Sequence, residues 1–510
     1  MTVSFDIPRE YFQSTVWTTR EHTTAPSAPP PSGAVSTLSA ISGPIPKPRT
    51  LDVIFATSGS LGAPFSFASS LQNNLELAQA TLLFNFALLF SGTRENLMHL
   101  QYQRNVLVTM CRPLLIPSIL YSKSSMSNAN APAADWTQWI ATESWKRLVY
   151  FTWLNECFQV VLFDLPALIA VNDLHLSMPC NDELWQCASA RDWEMAMQRD
   201  SSESFSVPSL LRMETLDSNC IRSLSEPALW IMVLAVYISE RHSTQQAYPY
   251  PSMNSSDSWK SPADGVHPDS HEPDVDQILK NIQQASTLHS QESPLLPIIT
   301  KFPLVLRLLR FIPYRHLYVS SGWMAQQQEL DAAAQHIARL LHSQPQQARQ
   351  TLIHAAHLFR IIRSQRQFDP FDSFLLLMAV LYIWNYDRFV VSAKTQSTST
   401  SGAGAETILR IDQDMSKDIQ EKWIAGTFKR HQNQQLHISG VGVLNGNDSV
   451  PRLFKESIKI LSHENAWSSQ AGAIRHSLRQ ILGGGVPSFP VEGGNENEDE
   501  DEDENEDGDE

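Results

Sequence analysis

The side chains best able to bind a metal ion in this 510-residue sequence are its five cysteines and sixteen histidines. A zinc finger needs two thiolates two to four residues apart and two further ligands roughly a dozen residues later, because tetrahedral zinc is held from one tight turn. Six residues separate Cys180 from Cys187, the next histidine is His242, and no cysteines form a CxxC pair. Since the first cysteine, Cys111, lies within helical sequence, we predict that this sequence contains no zinc finger.

A second candidate metal site is the pair His354 and His357, because residues three apart share a helix face. Their predicted helix, 346–363, contains no Asp or Glu that would complete a set of ligands. We therefore interpret both as structural histidines and predict no metal-binding residues.

Four polar residues recur at three- and four-residue spacing in the otherwise apolar second half of the segment 135–163, namely Thr152, Asn155, Glu156 and Gln159. They form one polar strip along a helix. Such a strip could line a small-molecule pocket, or it could hydrogen-bond to water or to a neighbouring helix. Because buried polar groups must be paired, we favour the second interpretation.

Glu143 and Arg147 lie four residues apart in the order that favours an ion pair on a helix. A catalytic role would require a nucleophile nearby, and none stands out. The sequence contains no GxSxG, Walker, HExxH or GxGxxG motif, and the glycines of 402–404 and 483–485 lack the strand-to-helix context of a phosphate-binding loop. We predict a structural ion pair, no catalytic or cofactor-binding residues, and no enzymatic activity.

These side chains must be positioned by helices, because apolar residues recur at helical spacing through most of the chain. Asp135 is a plausible N-cap of its helix, and Leu165-Pro166 is expected to end that helix. We find no alternating strand pattern and no repeat of fixed period, so the predicted fold class is all-α, a large helical bundle. The predicted helices are 51–92, 95–115, 135–163, segments within 208–240, 274–288, 303–317, 329–341, 346–363, 371–389, 416–428 and 451–461.

Composition divides the chain into two helical halves, 51–242 and 273–484, joined by a flexible linker at 243–272. The Pro/Ser/Thr-rich residues 1–50 and the acidic tail 485–510 are expected to be disordered. The net charge is −16, and twelve of the last fifteen residues are acidic. Removing those twelve charges leaves about −4 on the rest, so nothing indicates a surface that wraps DNA. The tail is either a solvated segment or a site for basic partners.

The sequence predicts an intracellular protein without a membrane-spanning segment. Its longest apolar run, Phe374–Trp384, has 11 residues, short of the roughly 20 that cross a bilayer. The N-terminal residues MTVSFDIPRE do not resemble a secretory signal. Five cysteines without finger-like spacing suit a reducing compartment.

Several short segments, in this order, resemble the fungal-specific transcription factor domain, also called the middle homology region. The first resembles a Trp- and Arg-containing helix of that domain, and the second its "LPCxxxLW" segment. Later segments resemble its "PFD" helix and the ending found in members with two-cysteine–two-histidine fingers. The residues are Trp139-Ile140, Glu143, Lys146-Arg147 and Tyr150-Phe151; then Leu165-Pro166 and Met178–Trp185 with Ala188, Ala190 and Trp193; then Phe368–Asp372 and Ala379–Trp384; and finally Leu409–Asp412, Trp423, Gly440–Gly442 and Trp467.

The resemblance covers roughly residues 51–483 and implies a nuclear regulator of RNA polymerase II transcription. In such proteins an N-terminal zinc module binds DNA and the helical body regulates. Without finger spacing, zinc is expected only if a finger module lies upstream. DNA would then be contacted through that module or through a finger-bearing partner, and the body would contact the transcription machinery. The alternative is a co-regulator that binds no DNA itself and acts through a partner or a small-molecule effector.

Overall fold

The computed structural model describes eleven stretches of the chain, and everything below concerns these residues. They are 67–116, 132–199, 205–212, 218–247, 275–286, 295–323, 325–392, 406–427, 433–446, 448–463 and 467–485. The expectations for 1–50, for most of 243–272 and for 486–510 lie outside the described residues.

The described residues form an all-α body, as predicted. The helices are α1 Phe67–Leu89, α2 Arg94–Cys111, α3 Pro132–Phe163, α4 Asp182–Trp185, α5 Ala190–Arg199, α6 Val207–Leu211, α7 Ser218–Arg222, α8 Glu226–Ala247, α9 Val275–Ser286, α10 Leu296–Phe311, α11 Tyr314–Ser320, α12 Gln327–Ser343, α13 Pro345–Ser364, α14 Asp372–Tyr386, α15 Lys417–Ala425, α16 Ser449–Ser462 and α17 Ser468–Leu482. Short 3-10 turns at Arg112–Leu115 and Val171–Asp173 follow α2 and α3, and a π-helical turn, Asp387–Val391, extends α14.

The centre of the core is built from helices that are apolar on nearly every side. Helix α14 with its extension, Asp372–Val391, is the one described helix long and apolar enough to cross a membrane, and 72% of that stretch is buried inside the protein. Such burial is typical of the central helix of a folded body. Phe371, at its start, contacts the rings of Phe90, Phe158 and Phe302, so it joins α1, α3 and α10.

The starts of α3 and α10 lie three or more residues before the predicted ones. Helix α3 begins at Pro132, so Asp135 lies in its first turn rather than at its N-cap, where its charge still favours the helix N-terminus. Helix α10 begins at Leu296, seven residues before the predicted start, and contains Pro303 in its interior. Proline removes one amide donor, and burial of both neighbours of Pro303 holds the helix together across the gap.

The predicted helix 303–317 is divided between α10 and α11 at Ile312-Pro313, and α5 and α17 lie where no helix was predicted. Two helix ends can also be compared with the prediction. Helix α3 ends as predicted before Leu165-Pro166, with Asp164 in a left-handed conformation at φ 58°. Helix α8 runs to Ala247, five residues into the predicted linker.

A small sheet lies late in the chain, where the sequence showed no strand pattern. Strands β1 Glu406–Arg410 and β2 Asn433–Ile438 pair in parallel, and β3 Gly442–Val443 pairs antiparallel to β2. Strand β1, with the sequence ETILR, places two apolar residues side by side, and β2, with the sequence NQQLHI, begins with three polar residues. Neither strand therefore alternates along its length, and β3 has only two residues.

Arginines attach this sheet region to the helices. From α13, Arg349 donates to the carbonyl of Ile424 at 3.0 Å, and Arg360 donates to the carbonyl of Asp412 at 3.0 Å. From α16, Arg452 donates to the carbonyl of Val441 at 2.7 Å. The sheet is therefore fixed to the bundle largely by long-range contacts.

Candidate functional site

The predicted ion pair between Glu143 and Arg147 forms in α3 and is buried. The Arg147 Nε donates to Glu143 Oε1 at 3.3 Å, and Lys146 Nζ lies 2.5 Å from Glu143 Oε2. The Arg147 side chain is 0% exposed. A guanidinium without solvent contact must find its partners inside the protein, so its other contacts show what the pair does.

Those contacts lie in the segment 178–185. The backbone N–H of Cys180 donates to Glu143 Oε1 at 2.9 Å, and Arg147 donates to the carbonyl of Cys180 at 2.9 Å. The guanidinium also lies 3.5 Å from Asp182 Oδ1 and 4.4 Å from the ring centre of Trp185. We call these five residues the Arg147 cluster. It joins two of the segments that carry the family resemblance into one unit.

The pKa values in this cluster favour structure over catalysis. Burial alone would raise the pKa of Glu143, but Lys146 and Arg147 outweigh it and hold that pKa below its ordinary value. Burial, with the nearby Glu143 charge, raises the pKa of Cys180 to about 12. A neutral thiol is a poor nucleophile, and the carboxylate is already paired.

The polar strip of α3 contacts helix α2. Arg104 donates to Glu156 at 3.3 and 2.5 Å, and Gln101 donates to Gln159 at 2.6 Å. Thr152 Oγ1 lies 3.4 Å from the sulfur of Cys111, also in α2. For Thr152, Glu156 and Gln159 the structure agrees with the second interpretation, hydrogen bonding to a neighbouring helix. Asn155 differs, because it lines a small separate pocket and its Oδ1 has no hydrogen-bond partner among the described residues.

A further buried charge cluster was missed by the sequence reasoning. The Lys301 ammonium of α10 pairs with Asp369 and Asp372 at the start of α14, and its side chain is 0% exposed. Asp372 also accepts from the backbone N–H of Asp369 at 2.8 Å. The available signals were a lone lysine in an apolar helix and the two aspartates of the "PFD" segment, 68 and 71 residues away. Sequence spacing could not connect them.

The electrostatics of the Lys301 cluster are unbalanced, since two carboxylates share one ammonium. Burial and the neighbouring Asp369 charge raise the pKa of Asp372 to about 7. Burial would lower the pKa of Lys301, but the two carboxylates outweigh it and raise that pKa. The cluster therefore joins α10 to α14 and keeps a carboxyl close to titration near neutral pH.

His354 and His357 lie on α13, where their helix was predicted. Burial, then the charges of Arg307 and His357, lowers the pKa of His354 to about 3, so this imidazole is neutral. Within the described ranges, no three or more His, Cys, Asp or Glu side chains come together as a metal site.

A pocket of about 340 Å³ opens beside α2. One face of α2 forms its first wall, with residues spaced three and four apart. The other walls come from the end of α3 and from α11, α14 and α17. The lining residues include Arg94, Leu97, Met98 and Gln101 of α2, Tyr314 and Tyr318 of α11, Phe374 and Leu377 of α14, and Ala473 and Ile474 of α17.

The predicted strip lies one layer behind this pocket. Gln101 lines the pocket and donates to Gln159 of the strip, so α2 separates the two. No sequence pattern predicted the pocket itself, because its walls come from helices spread over almost 400 residues.

Comparison with known proteins identifies a family model that matches part of the chain. Residues 62–266 match the family model described as the fungal specific transcription factor domain. A protein named transcription factor from Gibberella fujikuroi is 22% identical over 399 residues, covering 77% of this chain and 47% of its own length. That alignment is longer than 266 residues, so it extends into the second half of the chain. No solved structure matches.

Two shorter alignments agree. The zinc finger protein klf1 of Schizosaccharomyces pombe is 26% identical over 81 residues, 16% of this chain and 10% of that protein. A protein named transcription factor from Zymoseptoria tritici is 30% identical over 125 residues, 24% of this chain and 12% of that protein. The chain thus spans about half the length of the Gibberella relative. Residues 62–266 carry a fungal specific transcription factor domain, with the Arg147 cluster inside it, and the aligned relatives are named as transcription factors and a zinc finger protein.

Proposed function

We propose that this chain is the regulatory region of a transcription factor that controls RNA polymerase II transcription in the nucleus, with its DNA contact supplied by a separate module. The observation that carries the proposal is the Arg147 cluster within the matched domain. The resembling segments at 139–151 and 178–185 are held together by hydrogen bonds between the buried Glu143–Arg147 pair and the backbone of Cys180, so the family pattern corresponds to one packed unit.

The charges of the body support a separate DNA-binding module. Arg104, Arg147 and Lys301 are buried against carboxylates. Phosphate binding needs cations that face solvent. The chain before residue 496 carries a net charge of only about −4, and its cysteines lack finger spacing. A zinc finger would accordingly lie upstream of these residues or on a partner.

The proposal includes no catalytic activity. The buried carboxylates of both charge clusters are paired with cations and have little access to solvent. A general acid or base must reach a bound substrate. The body is proposed to act by contacting the transcription machinery or a finger-bearing relative.

A second candidate function is that of a co-regulator that senses a small molecule and acts on DNA only through a partner. The pocket beside α2 favours this alternative, because 340 Å³ lies within the usual range of ligand sites. Both functions share the regulatory body and differ in where the DNA-binding module resides.

The function is tested by tethering the full chain to a promoter through an unrelated DNA-binding domain and measuring reporter mRNA and polymerase occupancy. The contribution to DNA recognition is tested separately, by selecting ligands of the purified chain from a random DNA pool at 150 mM salt. We expect altered transcription when tethered and no enriched DNA sequence. Enrichment of one sequence would show that the chain itself recognises DNA.

A further inference from the structure

We propose that the pocket beside α2 binds a small apolar monocarboxylate, an organic acid with a hydrocarbon or aromatic body. This inference goes beyond the proposed function, because it concerns binding by the purified chain and holds whether or not the chain regulates transcription.

The walls of the pocket determine the body of the ligand. Phe374 and Leu377 of α14 and Ile474 of α17 line it, and aliphatic or aromatic carbon makes up most of the lining. Water gains few hydrogen bonds in such a space, whereas an apolar molecule replaces it favourably. A volume of about 340 Å³ accommodates a compact small molecule rather than a folded partner.

Two tyrosines supply polar contacts without supplying charge. The ring centroids of Tyr314 and Tyr318 lie 4.0 Å apart with the ring planes tilted by 57°, and their hydroxyl groups hydrogen-bond to each other. Burial is the main cause that raises the pKa of both above its ordinary value, so both hydroxyls stay neutral. Neutral hydroxyls accept and donate hydrogen bonds but do not repel an anion.

The mouth of the pocket determines the charge of the ligand. Met98 is 45% exposed and lines the pocket, so the opening lies on this face of α2. Arg94 is exposed at the same edge, and within the part of the chain that the structure describes it has no ion-pair partner. It is the first residue of the 18-residue helix α2, whose N-terminal dipole adds to its positive potential. Glu95, the next residue, is exposed and does not line the pocket. A carboxylate at the mouth would pair with Arg94 while the apolar body fills the interior.

A route from the pocket to the Arg147-bearing helix also exists. Gln101 lines the pocket and donates to Gln159 of α3 at 2.6 Å, and Arg104, one turn further along α2, pairs with Glu156. Ligand contacts on α2 would therefore act directly on the helix at the centre of the matched domain.

The test uses the purified full chain with a fluorescent apolar anion, 1-anilinonaphthalene-8-sulfonate, as the displaceable probe. Decanoate and decanol, which share a chain length and differ in charge, are the competitors. We expect both to displace the probe, with decanoate the stronger. Failure of both to displace it, or equal potency of the two, would overturn the proposal.

Two variants locate the site. Arg94→Gln is expected to weaken decanoate by about three- to fivefold, the usual range for an exposed ion pair, and to leave decanol unchanged. Arg191→Gln, at an exposed position in α5, is the matched control. Ala473→Phe fills the pocket from α17 and should abolish displaceable binding. Ser477→Phe, one turn along, serves if the first variant fails to fold. Unchanged decanoate binding in the filled variant would place the site elsewhere and refute the proposal.

Another occupant is distinguished by the same assay. The apolar residues 486–491 follow α17 in the sequence and include Phe489. If decanoate binds only after Phe489→Ser, the chain's own segment occupies the pocket and the proposed ligand is wrong. Binding of decanoate to the unaltered chain supports the proposal.

Discussion

Replacement of Arg147 by methionine should release the segment 178–185 from α3. Methionine keeps most of the volume of the side chain but removes the guanidinium, which contacts the Cys180 carbonyl, Asp182 and the Trp185 ring. Glu143 keeps Lys146 and the Cys180 amide as partners. Arg147→Met should therefore mainly loosen the segment 178–185, because the Glu143 carboxylate is still paired.

The magnitude follows from the burial of the pair. Breaking a buried ion pair by removing one partner costs about 3–5 kcal/mol. Because Lys146 continues to neutralise Glu143, we expect the lower end, about 3 kcal/mol. Since each 1.4 kcal/mol is a factor of ten, local opening of the segment should become roughly 100-fold more frequent.

Hydrogen exchange followed by mass spectrometry measures this opening directly, because amide exchange reports local unfolding. Peptides covering 178–185 should exchange faster in Arg147→Met, while peptides of α14 should change much less. Arg191→Met, at an exposed position, is the control and should change stability by no more than about 0.5 kcal/mol. If 178–185 exchanges equally in the two variants, the Arg147 cluster does not anchor this segment.

Three further predictions concern stability, measured by urea denaturation. The pKa of Asp372 is about 7 in the folded state and lower in the unfolded state, so the folded state holds a proton that the unfolded state loses. The free energy of unfolding should therefore fall as the pH rises from about 4 to 7. Between pH 5 and 7.5, Asp372→Asn should lose less of this free energy than the unaltered protein, and an equal loss would contradict this. The pKa of Glu143 is lowered in the folded state, so this carboxylate stabilises the protein above about pH 4.3 and stops doing so as the pH falls through the folded pKa. The difference in free energy of unfolding between Glu143→Gln and the unaltered protein should therefore shrink in acid. Gly92→Ala should destabilise the protein more than Gly484→Ala. Both glycines have positive φ, but only at Gly92 would a Cβ lie 2.6 Å from a backbone oxygen. Equal losses of stability in the two variants would refute this packing argument.

Local patterns predicted most of the long helices, though not α5 or α17, and they predicted contacts within one helix. The four-residue spacing of Glu143 and Arg147 was enough to predict their ion pair, because both groups lie on one helical turn. The strip at 152–159 was predictable as a strip, but its partners on α2 were not, since nothing local specifies which helix packs there.

Contacts between residues far apart in the chain could not be predicted from the sequence, because packing of the whole protein determines them. The Lys301 cluster joins residues 68 and 71 positions apart, and the pocket joins helices from both ends of the body. Their geometry is set by packing of the whole core. Pro303 shows the same effect. A proline ordinarily ends a helix, but here the burial of both neighbouring residues keeps α10 continuous through it.

A regulatory role for the helical body is tested by measuring transcription from a promoter to which the full chain is tethered by an unrelated DNA-binding domain. We expect reporter mRNA to change severalfold relative to that domain alone. Arg191→Met should behave like the unaltered chain, and Arg147→Met, compared at equal protein level, should return towards the baseline. Reporter mRNA identical to that of the DNA-binding domain alone, with the tethered chain folded and present in the nucleus, would contradict the assignment of a regulatory role to this helical body.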